Sequence, residues 1–242
     1  MPAPHRPDAP AAVAAGFVFH ALVPAAGRGD RFGAPKQFAE VGGRPLLAWT
    51  LDRLLAAGAA SVVVALPAEE IDSTAARIAV DARIRFVAGG ATRQASVAAA
   101  LAASPAGADE LVAVHDGARG AVDPADIVAT VAAAAQSGGA VLGRPLTDTI
   151  KRLEDGRLVA TVDRSKLFRA ETPQVFRRSV LERAFEAARR DRFVGTDEAS
   201  LVERLAGIEI RAVMALAPNP KVTYPADLER VARRLAANGE WR

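Results

Sequence analysis

The chain has 242 residues, enough for one large α/β domain or two small ones, and half of its residues are hydrophobic. It has no cysteine, which excludes disulfides, thiolate nucleophiles and cysteine metal sites. Lysine and arginine exceed aspartate and glutamate by only 31 to 28, and aromatic side chains are few, so we expect no nucleic-acid partner.

The first segment, residues 1–16, is rich in proline and alanine. We predict that it is a mobile tail outside a single domain of residues 17–242. Its prolines interrupt the region where a secretory signal needs an apolar helix. No apolar run approaches the roughly 20 residues of a membrane span. We therefore expect a cytoplasmic protein that does not bind a membrane.

Beyond the tail, short apolar runs alternate with segments of helical spacing. The predicted strands cover residues 17–23, 61–66, 84–88, 111–114 and 140–142. The predicted helices cover 45–57, 69–80, a segment ending near 103, and 124–137, where Asp123 and Pro124 form a typical helix start. This alternation predicts an α/β fold with a Rossmann-like, mostly parallel sheet and helices on both faces.

The pattern changes after residue 145. Residues 149–154 and 157–162 flank Asp155-Gly156, a strong signal for a two-residue β-hairpin. Both flanks mix polar and apolar residues, so they do not suit a buried parallel sheet. We predict an arm at about 145–170 that projects from the domain. Because an isolated hairpin is only marginally stable in water, we expect it to pack on a second subunit.

The rest of the chain is predicted to return to the domain without a further break in the pattern. Residues 163–174 lead back from the arm. The remaining elements are helices at 178–190 and 196–205, a strand at 208–216, a loop at 218–223 and a last helix at 226–238.

The strand at 17–23 runs into a loop in which small residues and cations are mixed: Pro24, Ala25, Ala26, Gly27, Arg28, Gly29, Arg31 and Lys36. The small residues let backbone amides approach a ligand, and the cations suit a polyphosphate. The dinucleotide fingerprint is absent because Phe32 stands at its third glycine position, and no Walker lysine follows. The alternative is a tight strand-to-helix turn with solvated arginines.

Two further loops also follow predicted strands, at Gly89 and at His115. Ligands of parallel sheets bind at the carboxyl ends of the strands. We therefore expect the three loops to form one site.

The first loop resembles the signature of nucleotidyltransferases that use nucleoside triphosphates, Pro-Ala-Ala-Gly-x-Gly-x-Arg followed by Pro-Lys-Gln. Within that superfamily the chain resembles the 2-C-methyl-D-erythritol 4-phosphate cytidylyltransferase family. Further matching motifs occur in order at residues 89–96, 115–119, 148–149, 163–164, 172–174, 196–200 and 221–223. The resemblance extends over about residues 20–230.

The resemblance implies the nucleotidyltransferase fold and transfer of CMP from CTP to 2-C-methyl-D-erythritol 4-phosphate, with release of pyrophosphate. This is a step of the non-mevalonate isoprenoid pathway. It also implies Mg²⁺ or another divalent cation and a homodimer formed through the arm. Two alternatives stay open: a transferase of the same fold with another polyol or sugar phosphate, such as ribitol 5-phosphate, and a nucleotide-sensing module without turnover.

The resemblance also implies the roles of individual residues. The catalytic cations are Lys36, Arg31 and Lys221. The nucleotide-binding residues are Pro24, Ala25, Ala26, Gly27, Gly29, Gly90, Ser96 and Gly117. The acceptor-binding residues are Arg119, Thr149, Arg164, Thr172 and Lys221, of which Thr149 and Arg164 reach the partner subunit's site.

Asp116 is the predicted Mg²⁺ ligand. It follows a strand, and Mg²⁺ is typically held by one or two carboxylates together with phosphate oxygens. The alternative for Asp116 is a cap of the next turn.

The chain departs from the family pattern at three positions. Ala91 stands where an acid is common, so one polar contact near the base is missing. Gly120 replaces a common proline, which we expect to loosen its turn. Pro218 stands where an aspartate is common, which removes a possible second metal carboxylate.

Overall fold

The structure is a computed structural model that describes residues 16–27, 29, 31–78 and 81–237. The predicted tail up to residue 15, the loop residues Arg28 and Asp30, and the ends of two predicted helices at Val80 and Asn238 lie outside these ranges.

The described residues form two kinds of sheet: one large sheet in the body and two small antiparallel pairs. The strands are β1 (Phe19–Pro24), β2 (Glu40–Val41), β3 (Arg44–Pro45), β4 (Ser61–Leu66), β5 (Ile84–Ala88), β6 (Leu111–Val114), β7 (Gly138–Pro145), β8 (Ile150–Glu154), β9 (Arg157–Val162), β10 (Phe168–Arg177) and β11 (Glu209–Met214). The large sheet has the order β11-β7-β10-β6-β1-β4-β5. All its pairings are parallel except those of β10.

Helices cover both faces of the large sheet. They are α1 (Leu46–Ala56), α2 (Ile71–Arg77), α3 (Arg93–Ala103), α4 (Pro124–Ser137), α5 (Arg178–Arg190), α6 (Glu198–Val202) and α7 (Asp227–Ala237). Side chains of α1 and α4 form a core cluster on one face, and those of α3, α5 and α6 form a second cluster on the other. Side chains of β1 alternate between the two clusters, since Ala21 and Val23 enter the first and Leu22 the second. The predicted fold class is confirmed.

Several predicted boundaries are close to those observed. The strands at 61–66, 84–88 and 111–114 and the helices at 124–137 and 178–190 have the predicted bounds. Asp123 caps α4 by accepting a hydrogen bond from the amide of Ala125, as the Asp-Pro pair predicts.

Strand β10 is not predicted by the sequence pattern. The predicted return of the chain through 163–174 is in fact a ten-residue strand that pairs antiparallel with both β6 and β7. Its register with β7 shifts between Ala170 and Gln174. This irregularity breaks the simple alternation that marks a strand, which explains why the pattern did not reveal it.

Two other expectations were too simple. The predicted helix at 196–205 contains only the five residues of α6, which starts after a capping box formed by Asp197 and Ser200. The predicted helix at 69–80 divides into a 3-10 turn, Ala68–Glu70, and α2.

The hairpin arm forms as predicted. β8 and β9 pair antiparallel with Ile150 opposite Val162, and Asp155 and Gly156 at the turn both have positive φ. Neither strand belongs to the large sheet. Leu153 and Leu158 are 62 % and 69 % exposed, so the described chain leaves much of the arm's apolar surface uncovered.

None of the helices within the described ranges is long and apolar enough to cross a bilayer.

Candidate active site

A cavity of about 380 Å³ opens at the carboxyl ends of β1, β5 and β6. It is lined by Pro24, Ala25, Ala26, Gly27, Gly29, Arg31, Phe32, Lys36, Gln37, Gly90, Ala91, Thr92, Arg93, Ser96, Asp116, Gly117, Ala118, Lys221 and Thr223. The three loops that follow these strands therefore meet at one site, as the strand pattern predicts.

Backbone hydrogen bonds fix the start of each loop. The amide of Ala25 donates to the carbonyl of Ala65 at 2.8 Å, and that of Gly89 donates to Leu66 at 2.7 Å. The amide of His115 donates to Leu22 at 2.9 Å. Each loop thus leaves the sheet in a direction set by the neighbouring strand.

Two glycines allow the close packing of the first two loops. Gly29 has a φ of 72°, and a side chain there would overlap the carbonyl of Ala34. A side chain at Gly89 would overlap the methyl group of Ala26. Gln37, which is buried, donates to the carbonyl of Gly27 at 3.5 Å and ties the loop back to the turn that carries Lys36.

All eight predicted nucleotide-binding residues line the cavity. Ser96, in the first turn of α3, closes the second loop: its hydroxyl donates to the carbonyl of Gly90 at 3.2 Å and accepts from the Gly90 amide at 3.1 Å. The backbone of this loop is therefore held against the pocket by a side chain of the following helix.

The three predicted catalytic cations, Lys36, Arg31 and Lys221, also line the cavity. Burial, together with the charge of Lys221, lowers the pKa of Lys36 below the ordinary value of 10.5. Asp116 opposes this shift, and Arg31 adds to it. Mutual repulsion of this kind is expected where cations are collected for an anionic ligand.

Asp116 is the anion at the centre of these cations and is 7 % exposed. Lys221 Nζ lies 2.7 Å from its Oδ2, Arg93 Nε lies 3.1 Å from its Oδ1, and Arg119 Nε lies 3.7 Å from Oδ2. Burial alone would raise the pKa of Asp116, but these three cations outweigh it and hold the pKa well below its usual range. The carboxylate is therefore ionised at neutral pH.

Arg93 and Glu198 are two residues at the site for which the sequence pattern predicts no role. Arg93 contacts Asp116 through Nε and binds Glu198 with both terminal nitrogens, at 2.8 and 3.0 Å. Both residues occur in the family motifs that the sequence shows. Their pairing was not visible, because 105 residues separate them along the chain.

Two predicted acceptor-binding residues, Arg119 and Thr172, lie behind Asp116 rather than among the lining residues. The Thr172 hydroxyl accepts from the amide of Asp116 at 3.1 Å. Arg119 donates to the carbonyl of Asn219 at 2.6 Å, and Asn219 donates to the carbonyl of Thr172 at 2.9 Å. In this structure the two residues support the carboxylate, and their role toward the acceptor stays a prediction.

The other two predicted acceptor residues, Thr149 and Arg164, belong to the arm and do not line the cavity of their own chain. Arg164 is exposed and donates to the carbonyl of Thr147. Its side chain is thus held at the base of the hairpin, and the predicted reach into a partner's site stays a prediction.

The side chains at the cavity fit a divalent cation only if the phosphate oxygens of a bound nucleotide complete its coordination. Within the described ranges, no group of three histidine or acidic side chains could hold a metal ion by itself. Asp116 supplies one carboxylate at the cavity wall, which is the usual protein share of a Mg²⁺ site completed by phosphate oxygens. Its Oδ2 is paired with Lys221, whose side chain is 36 % exposed and can move aside.

The departures from the family pattern differ in their effects. Ala91 lines the cavity and brings no polar side chain to it. A side chain at Gly120 would come within 3.0 Å of Trp49 and Leu46, so this glycine allows α1 to pack closely. The expected looser turn stays a prediction.

The comparisons with known proteins agree with this geometry. A model of the 2-C-methyl-D-erythritol 4-phosphate cytidylyltransferase family matches residues 19–236. The chain is 42 % identical over 226 residues to the enzyme of that name from Acidobacterium capsulatum, covering 87 % of this chain and 94 % of that protein. It is 45 % identical over 212 residues to the one from Aeromonas hydrophila, covering 86 % of each.

A solved structure is also similar along most of its length. The 2-C-methyl-D-erythritol 4-phosphate cytidylyltransferase from Thermus thermophilus superposes with a TM-score of 0.75 at 37 % identity, covering 90 % of this chain and 98 % of that one. With a family match over nearly all described residues and relatives at this identity, the chain belongs to the 2-C-methyl-D-erythritol 4-phosphate cytidylyltransferase family.

Proposed function

We propose that the cavity at the ends of β1, β5 and β6 is where this chain carries out the transferase reaction of its family. A phosphate oxygen of 2-C-methyl-D-erythritol 4-phosphate attacks the α-phosphorus of CTP, and pyrophosphate leaves. The product, 4-diphosphocytidyl-2-C-methyl-D-erythritol, belongs to isoprenoid biosynthesis by the non-mevalonate pathway. The observation that carries this proposal is the meeting of bare backbone, three cations and one buried carboxylate in a single cavity.

The nucleotide half of the site is formed by the first two loops. Backbone groups of Ala25, Ala26 and Gly90, with Ser96, read the cytosine, and Gly117 lies next to the sugar. In support, all five residues line the same cavity, and the hydrogen bonds between Ser96 and Gly90 hold that part of the backbone in place before a ligand arrives. Such preorganised polar groups need no rearrangement on binding.

The chemistry needs no nucleophilic side chain, because the acceptor phosphate is itself the nucleophile. Catalysis then consists of holding the two phosphates in line and neutralising the charge that develops on the equatorial and leaving oxygens. Lys36 and Arg31 act on the triphosphate, and Lys221 acts between the triphosphate and the acceptor phosphate. The mutual repulsion of these cations, which contributes to the lowered pKa of Lys36, is relieved when the polyanion binds.

We propose that Asp116 holds Mg²⁺ or another divalent cation together with the triphosphate. The cation would neutralise phosphate charge and fix the geometry of the triphosphate. The chain's own part is to present a permanently ionised carboxylate at the cavity wall, which its surrounding cations ensure.

The acceptor half includes a second copy of the chain. We propose a homodimer in which the arm, at about 145–170, places Arg164 and Thr149 at the partner subunit's cavity, opposite Arg119, Thr172 and Lys221. The exposed Leu153 and Leu158 support an arm that packs on another surface. Residues 17–242 act as one domain with this arm, and the cytoplasmic location stays a prediction.

A pyrophosphate-release assay with the four nucleoside triphosphates and several polyol phosphates tests the function. We expect turnover only with CTP and 2-C-methyl-D-erythritol 4-phosphate. Turnover with another polyol or sugar phosphate, such as ribitol 5-phosphate, would support the first alternative. Nucleotide binding without pyrophosphate release in any combination would support the second, a sensing module.

A further inference from the structure

Glu198 has a buried carboxylate that does not line the cavity. A single residue, Arg93, links it to Asp116, the anion at the centre of the cavity. Glu198 is 1 % exposed and binds the two terminal nitrogens of Arg93 at 2.8 and 3.0 Å. The third nitrogen of the same guanidinium, Nε, contacts Asp116 Oδ1 at 3.1 Å. Arg93 therefore connects two carboxylates through a planar group whose geometry is rigid.

The backbone that carries Glu198 is fixed from two sides. Gln174, on β10, donates to the Asp197 carboxylate at 2.7 Å and accepts from the amide of Ala199 at 2.9 Å. Gln94, next to Arg93 in the first turn of α3, accepts from the amide of Gly195 at 3.0 Å. The backbone around this ion pair is therefore held more firmly than that around a surface ion pair. These hydrogen bonds align Glu198 with Arg93.

We propose that Glu198 is a positioning residue for the reaction. By holding Arg93 on Oδ1 of Asp116, it leaves Oδ2 as the oxygen that is offered to a divalent cation, and it limits the positive charge beside the nucleotide pocket. The inference rests on the proposed role of Asp116 as the metal ligand. It gives a function to a buried residue outside the cavity.

The two oxygens of Asp116 differ in how firmly they are held. Oδ1 is bound by Arg93, whose other side is fixed by Glu198. Oδ2 is bound at 2.7 Å by Lys221, which carries only a flexible ammonium group. Arg119 lies farther from Oδ2, with its Nε at 3.7 Å, which is beyond hydrogen-bonding distance. A cation that needs a carboxylate oxygen will therefore displace Lys221 from Oδ2 rather than Arg93 from Oδ1.

Loss of the Glu198 charge has two opposite effects on the pocket. Arg93 loses the carboxylate that binds its two terminal nitrogens, so it interacts more strongly with Asp116. It then competes with the divalent cation for the Asp116 carboxylate. At the same time the pocket becomes more positive by one charge, which favours the metal-free, highly anionic CTP. A general loosening of the structure would weaken both interactions instead.

The test is Glu198→Gln, which keeps the shape and removes the charge. CTP affinity is measured by calorimetry in EDTA, and the Mg²⁺ concentration that gives half of the metal-dependent change in CTP affinity is then determined by titration. We expect metal-free CTP to bind with equal or up to about 5-fold higher affinity. We expect the half-point for Mg²⁺ to rise by about tenfold or more. Neither readout requires turnover.

Two further variants make the result specific. Arg93→Lys keeps a positive charge but cannot bind Glu198 in bidentate fashion and reach Asp116 at once, so it should raise the Mg²⁺ half-point in the same direction, and it keeps the test valid if Glu198→Gln fails to fold. Glu182→Gln is the matched control, because Glu182 pairs with Arg178 on α5 at 2.7 Å, away from the cavity. The control should change neither measurement.

The proposal is overturned if folded Glu198→Gln leaves the Mg²⁺ half-point unchanged, or if it weakens metal-free CTP binding as much as it weakens the response to Mg²⁺. A failure of the metal assignment is distinguishable. In that case Asp116→Asn leaves the Mg²⁺ titration of the protein unchanged, while metal-free CTP affinity in Glu198→Gln still tests the charge effect.

Discussion

The nucleotide pocket and the hairpin arm differ in how far their interactions are made within their own chain. In the pocket, the loops are tied to neighbouring strands, and the central carboxylate, Asp116, has three cations around it. In the arm, β8 and β9 pair with no other strand of the described ranges and expose Leu153 and Leu158 to solvent. The pocket is preorganised within one chain, whereas the arm exposes apolar surface that a partner could cover.

This difference distinguishes the CTP half of the proposed site from the acceptor half. The residues that we assign to CTP line the cavity of a single chain, but the two arm residues that we assign to the acceptor lie outside that chain's own cavity. Changes in the pocket should therefore affect the use of CTP and turnover, and changes in the arm should affect the acceptor alone.

The largest effect is expected from Lys36→Ala. Removal of one preorganised charge partner of a phosphoryl-transfer transition state costs roughly 10²–10³ in kcat. Lys36 lines the cavity, so the melting temperature should stay near that of the unchanged protein. Steady-state kinetics and a thermal melt measure both. Arg190→Ala, which removes a 73 % exposed cation of α5 outside the cavity, is the control. Near-normal turnover of Lys36→Ala would remove Lys36 from the site.

Asp116→Asn should affect both the metal and the fold. The amide is a poorer ligand for a hard cation, so the Mg²⁺ concentration required for activity should rise on the order of 10- to 100-fold. Since Arg93 and Arg119 lose their buried anionic partner, the melting temperature should also fall. A Mg²⁺ titration like that of the unchanged protein would mean that Asp116 only caps the following turn.

Arg164→Ala tests the arm. If Arg164 binds the acceptor phosphate, KM for 2-C-methyl-D-erythritol 4-phosphate should rise about tenfold or more, which is the typical effect of losing one charge-assisted hydrogen bond. KM for CTP should change little, because the nucleotide half does not include the arm. Equal changes in the two KM values would contradict the division of the site.

The smallest effect concerns pH. Burial and the charge of Lys221 lower the pKa of Lys36, so in the free enzyme its ammonium loses its proton at a lower pH than an ordinary lysine, below 10.5. The neutral amine binds phosphate poorly, so kcat/KM for CTP should fall as the pH rises through that pKa. In Lys36→Arg the guanidinium stays charged, and the alkaline decrease should move to higher pH. An unmoved decrease would assign it to another group.

Local signals in the sequence predicted much of the fold. Asp123-Pro124 and Asp155-Gly156 each determine a local structure, and both gave the correct helix start and hairpin turn. The order of strands and loops also predicted that three loops would meet at one pocket. These inferences succeed because cap and turn geometry depend on a few neighbouring residues.

The interactions that the sequence did not reveal are the distant ones. β10 has an irregular register in its middle, so its ten residues show no clean alternation. The contact of Arg93 with Glu198 depends on the packing of α3 against the start of α6, and no local pattern encodes it. The support of Asp116 by Thr172 depends on the same central strand, β10.

Mixing two impaired variants tests the shared site most directly. In a heterodimer of Lys36→Ala with Arg164→Ala, one site carries both changes and the other carries neither. With random exchange of subunits, the mixture should recover about a quarter of the unchanged activity at low acceptor concentration, because half of the dimers have one intact site out of two. Activity that stays at the mean of the two separate variants, while exchange of differently tagged subunits is demonstrated, would contradict the shared site.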